Sequence, residues 1–149
     1  MASPARTAWS IAGVTLLIDQ LTKSAVSTLL APGQSVPLIP SVLHLTYVQN
    51  TGAAFGLLKG MTALFILLSL VVAVWIIVEV RSKPALPLSR LWALALVLGG
   101  AVGNLMDRVR HGYVVDFLDV RIWPVFNVAD SAVTIGVGLL LLPLLLRRR

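Results

Sequence analysis

Leu91-Trp-Ala-Leu-Ala-Leu-Val-Leu-Gly-Gly-Ala-Val-Gly-Asn-Leu-Met106 is an uncharged, mostly apolar run that ends directly on Asp107-Arg108. It reads as long enough to cross a bilayer core, and its end carries both an acid and a base. Within it Gly100, Gly103, Asn104, Asp107 and Arg108 follow i, i+3, i+4, i+7, i+8 spacing and so share one helical face. Gly99 and Gly103 form a G-x-x-x-G pair, which lets a neighbouring helix approach closely. The segment therefore predicts a membrane helix with a polar stripe gathered at one end.

Three other segments share its character: residues 8–30, 61–80 and 125–146. A helix rising about 1.5 Å per residue crosses a hydrocarbon core of about 30 Å in about 20 residues. Across 149 residues, 58% are apolar and 12% charged, with a mean hydropathy of +0.93. That balance fits a transmembrane protein better than a soluble core. The expected fold is an all-α membrane protein, a four-helix transmembrane bundle forming one domain over residues 1–149, with a small β-containing loop outside. The first apolar segment carries Asp19, Gln20 and Lys23 and lacks a small-residue cleavage site, so a retained helix is expected instead of a signal peptide. The absence of cysteine removes disulfides, a thiol nucleophile and thiolate metal sites.

A net charge of +6 could suggest nucleic acid, but the basic residues sit at segment ends and not along one face, so no nucleic-acid partner is expected. They set topology instead. Arg6, Arg81, Lys83, Arg90 and the three arginines at 147–149 fall on one side of the bundle, against Lys59, Arg108, Arg110 and Arg121 on the other. Seven against four predicts both termini in the cytoplasm, with the connections 31–60 and 107–124 outside. In the first of these, residues 42–48 alternate Leu43, Leu45 and Tyr47 with His44, Thr46 and Val48, which predicts a short strand. Gly52 and Gly56 then permit tight turns in the segment that follows.

The chain has six carboxylates: Asp19, Glu79, Asp107, Asp116, Asp119 and Asp130. Acid held at bilayer depth is costly and usually marks a function or a specific ion pair. Asp19 and Lys23 stand at i, i+4 and predict a local salt bridge. Asp107 beside Arg108 predicts a pair at a helix end, Asp119 a solvated loop acid, and Glu79 a surface charge. Asn127, Asp130, Ser131 and Thr134 form a second polar stripe at the outer end of the last helix, where such groups can simply hydrogen-bond across a bundle. Asp116 lies in Gly112-Tyr-Val-Val-Asp-Phe117, a loop able to fold back over the stripes. Neither Asp116 nor Asp130 has an adjacent base, so these two are the candidates for chemistry.

Two carboxylates sharing a site do not both ionise cheaply, so one keeps its proton. The charged partner can take a proton from a water attacking a peptide carbonyl, while the neutral one protonates the oxygen or the leaving amine. The D-T-G or D-S-G turn of soluble aspartic proteases is absent. His44 and His111 form no recognisable triad. A carboxylate Mg²⁺ site remains open, and a proton relay in a transporter is the main rival, although acids at one interface fit a transmembrane path poorly.

Asp19-Gln-Leu-Thr-Lys23, Asn50-Thr-Gly-Ala-Ala-Phe-Gly56, the run Gly99 to Arg108, Gly112 to Phe117 and Phe126-Asn-Val-Ala-Asp-Ser131 together resemble the bacterial lipoprotein signal peptidases, the signal peptidase II family. The resemblance implies an aspartic endopeptidase of the bacterial cytoplasmic membrane, its site near the outer face. It implies removal of the signal peptide from prolipoproteins whose cysteine carries a diacylglyceryl group. By motif position it makes Asp116 and Asp130 the catalytic pair. Asn50, Asn104, Arg108 and Asn127 would line or brace the substrate site, with Asp19 and Asp107 as supporting acids. No cofactor and no metal are implied; membrane lipid is the other partner, and a monomer is expected.

Overall fold

The computed structural model describes residues 4–52, 58, 60–83 and 86–146, except the side chain of residue 144. Gly56, Lys59 and the arginines at 147–149, invoked above for turns and topology, lie outside the described residues. The described chain folds into four helices and a three-stranded sheet, in the order α1 (Pro4–Leu29), β1 (Ser35–Ile39), β2 (Leu43–Asn50), α2 (Thr62–Ser82), α3 (Leu88–His111), β3 (Val114–Asp119) and α4 (Val128–Leu146).

The helices are apolar on their outward faces as well as in the core they share, where Ile76, Leu91 and Leu94 are buried. On α1 the buried face is Ala8, Ala12, Thr15, Asp19, Lys23 and Val26, while Val14, Leu17, Ile18 and Leu21 point outward. On α2, Leu67, Leu70, Val71, Val74 and Val78 are exposed, and on α4 Ile135, Leu141, Leu142 and Leu145. Apolar side chains facing out and polar ones facing in are what a hydrocarbon solvent selects. Among the described residues two helices, α2 and α3, are long and apolar enough to cross a membrane by themselves.

α3 is the central helix, packed against α1, α2 and α4. Its glycines permit this. A methyl group at Gly99 would stand 2.7 Å from the Ala12 carbonyl of α1, and one at Gly100 would run into the Ala129 backbone of α4. α3 continues to His111, five residues beyond the expected end, because Gly112 takes the left-handed conformation (φ 79°) and its N–H reaches the Arg108 carbonyl at 3.0 Å. α4 starts at Val128, three residues later than expected, and α1 starts earlier, at Pro4.

The sheet is antiparallel in the order β1-β2-β3. The expected strand is present as β2, with Tyr47 paired into an apolar cluster of Val26, Val115 and Phe117 over the end of α1. Two strands were not expected. β1 is exposed along its whole length, and β3 was read as loop. Because β2 pairs with β3 (Val48 opposite Asp116, Asn50 opposite Val114), the connections 31–60 and 107–124 meet at the same end of the bundle.

Glu79 lies near the opposite end and is a correction. It is buried, and its Oε1 accepts from Lys83 Nζ (2.9 Å) and Arg90 Nη2 (2.7 Å), tying α2 to α3.

Candidate active site

Asp116 sits on β3 with both faces of its strand covered, and Asp130 sits in the first turn of α4. Every oxygen of the two carboxylates has a donor. Asp116 Oδ1 accepts from Asn127 Nδ2 at 2.7 Å and its Oδ2 from Asn50 Nδ2 at 2.8 Å. Asp130 Oδ1 accepts from Asn104 Nδ2 at 2.8 Å and its Oδ2 from the Asn127 backbone N–H at 3.2 Å. Asn127 thus touches both acids.

Local sequence explains the placement. Asn127 precedes α4, and its Oδ1 accepts the Asp130 N–H at 2.8 Å while Asp130 reaches back to the Asn127 N–H. This is a reciprocal capping box with an aspartate in the usual Glu/Gln position. The next free N–H of that helix end, Ala129, is taken by Asp19 Oδ1 of α1 at 2.9 Å. Asp130 is therefore held at a helix start, a setting that favours negative charge.

Behind the pair lies a buried ionic cluster. The Asp19–Lys23 bridge is present at 2.9 Å, but it is not merely local: Lys23 also meets Asp107 Oδ2 at 3.0 Å and Asn104 Oδ1 at 2.8 Å. Gln20 Nε2 links Asp19 (3.2 Å) and Asp107 (3.1 Å). Asp107 Oδ2 further accepts the Val115 N–H at 3.0 Å and so pins the strand beside Asp116. The expected Asp107–Arg108 pair is corrected, since Asp107 takes Lys23. Successive residues on a helix point about 100° apart, and Arg108 instead turns toward α2. Its guanidinium lies 4.9 Å from the Phe65 ring centroid, with a long 3.4 Å approach to the Gly52 carbonyl.

Burial pushes the Asp116 carboxyl up to about 7, with the charge of Asp130 adding to the rise. The Asn50 and Asn127 amides and the Lys23 charge oppose it. A carboxyl of this kind keeps its proton near neutrality while a partner stays charged.

The pair opens on a cavity of about 610 Å³. Its polar end holds Asn50, Asn104, Arg108, Asp116 and Asp130, and its apolar walls run down α2, α3 and α4 through Val72, Trp75, Val97, Val133 and Val137. Trp123 and Phe126 close the outer rim. Thr134 of the second polar stripe lines this space, whereas Ser131 turns back to the Asn127 carbonyl at 3.0 Å.

All eight residues singled out from the sequence thus fall in one continuous network or on its cavity. Asp119 is the acid whose setting was misjudged. It is 6% exposed, not solvated, and accepts from Thr46 Oγ1 (2.8 Å), the Arg121 N–H (2.9 Å) and Arg121 Nη1 (3.0 Å). Lys23 and Gln20 were missed as parts of the network. A lysine inside an apolar helix was the available signal, because a charge there needs partners from more than its own helix.

Among solved proteins, the fold of this chain is matched by bacterial membrane enzymes. Two such structures, solved by the in meso method at 2.3 Å and 1.9 Å, superpose with TM-scores of 0.86 and 0.83 at 36% identity. Each covers 93% of this chain, and 87% and 92% of the solved chains respectively. The sequence pattern of the family described as Signal peptidase (SPase) II matches residues 11–146, and the chain belongs to that family. A relative from Moorella thermoacetica named Lipoprotein signal peptidase is 54% identical over 137 residues, 91% of each chain. Another of that name, from Halothermothrix orenii, is 48% identical over 132 residues, 87% of this chain and 88% of the relative.

Proposed function

We propose that this member of the signal peptidase II family removes signal peptides from prolipoproteins with Asp116 and Asp130 as its catalytic pair. The observation that carries this is the double role of Asn127, which donates to one carboxylate through its side chain and to the other through its backbone. Two acids brought under one residue at the head of a deep apolar cavity suit a peptide bond delivered from the membrane.

The chemistry follows from shared protonation. Asp116, raised to about 7, holds a proton. Asp130, at a helix start with two donors, is the charged partner and accepts a proton from water as the water oxygen bonds to the scissile carbonyl carbon. Asp116 gives its proton to the carbonyl oxygen, forming a neutral tetrahedral diol. On collapse, Asp116 recovers a hydroxyl proton as the C–N bond breaks, and Asp130 passes its proton to the leaving amine. Asn50, Asn104 and Asn127 hold the carboxyl planes, and Arg108 faces the cavity beside them. The apolar walls fit the helix of a signal peptide and the acyl chains of a diacylglyceryl-bearing cysteine.

Four spans, both termini cytoplasmic and the sheet outside complete the reading. Its support is the exposed apolar surface on α1, α2 and α4, the long apolar run of α3, and the basic cluster of Lys83 and Arg90 opposite the sheet. Apart from Glu79 at that basic end, the acids lie on the sheet side, so no acid relay spans the bundle. The test is incubation of purified protein with a diacylglyceryl-modified prolipoprotein in micelles containing EDTA, read by mass. Native protein releases one signal peptide, and Asp116→Asn and Asp130→Asn release none. Turnover by either variant would place the chemistry elsewhere.

A further inference from the structure

Asn104 has three polar neighbours, and together they leave its amide one orientation. Its Oδ1 receives Lys23 Nζ at 2.8 Å and Asn127 Nδ2 at 3.2 Å, and its Nδ2 donates to Asp130 Oδ1 at 2.8 Å. A flipped amide would aim its NH₂ at an ammonium and at another NH₂, and its carbonyl at a carboxylate. All three contacts would turn repulsive, since an ammonium only donates and a carboxylate only accepts. Of the two donors on the oxygen, Asn127 is held by other groups, donating to Asp116 and to the Val115 carbonyl. Lys23 carries a full charge, so its bond dominates the choice of orientation.

We infer that Lys23 is a positioning residue of the cleavage site: by holding the oxygen of Asn104, it keeps the NH₂ end of Asn104 turned toward Asp130. This rests on the reading of those acids as the catalytic pair. Lys23 is 3% exposed and reaches this point from α1, a helix that supplies no wall of the cavity. Its contact with the reacting acids therefore runs through Asn104. The charged groups around the site are Asp19 and Lys23 from α1, Asp107 and Arg108 from α3, Asp116 from β3 and Asp130 from α4. Among the first four, Lys23 stands between two acids, so its bridges to Asp19 and Asp107 alone would explain its burial. A purely structural lysine would leave the chemical step untouched, and that difference is measurable.

The experiment is a double-mutant cycle on the full-length protein with a diacylglyceryl-modified prolipoprotein, using Lys23→Met and Asn104→Leu. Lys23→Met is expected to lower kcat by about 10- to 100-fold, the worth of a hydrogen bond to a charged group, with KM little changed. Its kcat–pH profile should move to higher pH, because the cation opposing protonation of the acids is gone. The double variant should be no slower than the slower single one, because both act on one contact. Asp107→Asn serves as a second background: with Lys23→Met it restores the native net charge of the cluster, so a folding defect from unpaired acid does not obscure the result. A kcat and pH profile unchanged by Lys23→Met in either background, or losses that multiply in the cycle, would overturn the inference. The coupling is read between positions 23 and 104, whichever acid proves catalytic, while Asp116→Asn in the same assay reports on the pair by itself.

Discussion

Asp116 carries the clearest consequence of its surroundings. Its carboxyl is raised from 3.8 to about 7, chiefly by burial and then by the charge of Asp130. The folded protein therefore holds a proton that the unfolded chain has released, so stability declines as pH rises from about 4 to about 7 and levels off above. Cleavage that needs this proton declines only as pH rises through about 7, where the folded protein itself loses it. Asp116→Asn should be inactive at every pH, yet melt higher than the native protein at pH 8, which paired activity and melting curves will show. Asp119 carries a different expectation. Its three donors lock the turn in which Arg121 adopts φ 65°, just before the Trp123–Phe126 rim of the cavity. Asp119→Ala should cost about 1–3 kcal/mol of stability and slow cleavage severalfold, whereas a solvated acid would change neither. The sequence reading of Asp119 failed because its partners come from β2 and a turn, and register is invisible in a one-dimensional string. Asp19–Lys23 was legible because i, i+4 geometry is local, while the choice of Lys23 over Arg108 for Asp107 is a matter of helical direction and packing.

Among the elements, the helices were largely legible because hydrocarbon imposes a simple rule on their outward faces. Their ends were less so. α3 runs on to the left-handed Gly112, and α4 waits for its capping residue at Asn127. The strands divide by pattern. β2 shows alternation, β3 is buried at nearly every position and so shows none, and β1 contains Pro37 on an exposed edge where a missing N–H costs little. Missing β3 mattered for the site, since it is the strand that holds Asp116 beside Asn50. The capping box at the head of α4 offers a way to separate fold from chemistry. Asn127→Ala removes both the cap and the amide donor; it should lose about 1 kcal/mol of stability together with most of the activity. Asn127→Ser keeps an acceptor for the Asp130 N–H but has no NH₂ for Asp116. It should regain the melting temperature of the native protein without regaining cleavage. Equal recovery of both would make Asn127 a cap and nothing more.

At the scale of the whole molecule, orientation decides whether the site meets its substrate. Helices α2 and α3 are long and apolar enough to span unaided, whereas α1 is interrupted by Asp19, Gln20 and Lys23 and α4 is shorter. Those polar groups face inward and find partners there, so the outward faces of α1, α2 and α4 remain largely apolar. On the sheet side, Val36, Leu38, Ile39 and Val42 are exposed next to Ser35, His44 and Thr46, an apolar edge beside a polar one that suits a membrane boundary. At the other end Lys83 and Arg90 converge on Glu79 and leave a basic rim, which supports the proposed cytoplasmic orientation of that end. Ser35 on β1 and Ser89 at the start of α3 are both exposed and mark the two ends. In intact cells, Ser35→Cys should react with an impermeant thiol reagent applied outside, and Ser89→Cys should react only after the membrane is opened. The native chain has no cysteine, so each signal is unambiguous. The reverse pattern would put Asp116 and Asp130 on the cytoplasmic side, where a precursor whose mature part has already been exported could not present its cleavage bond to them.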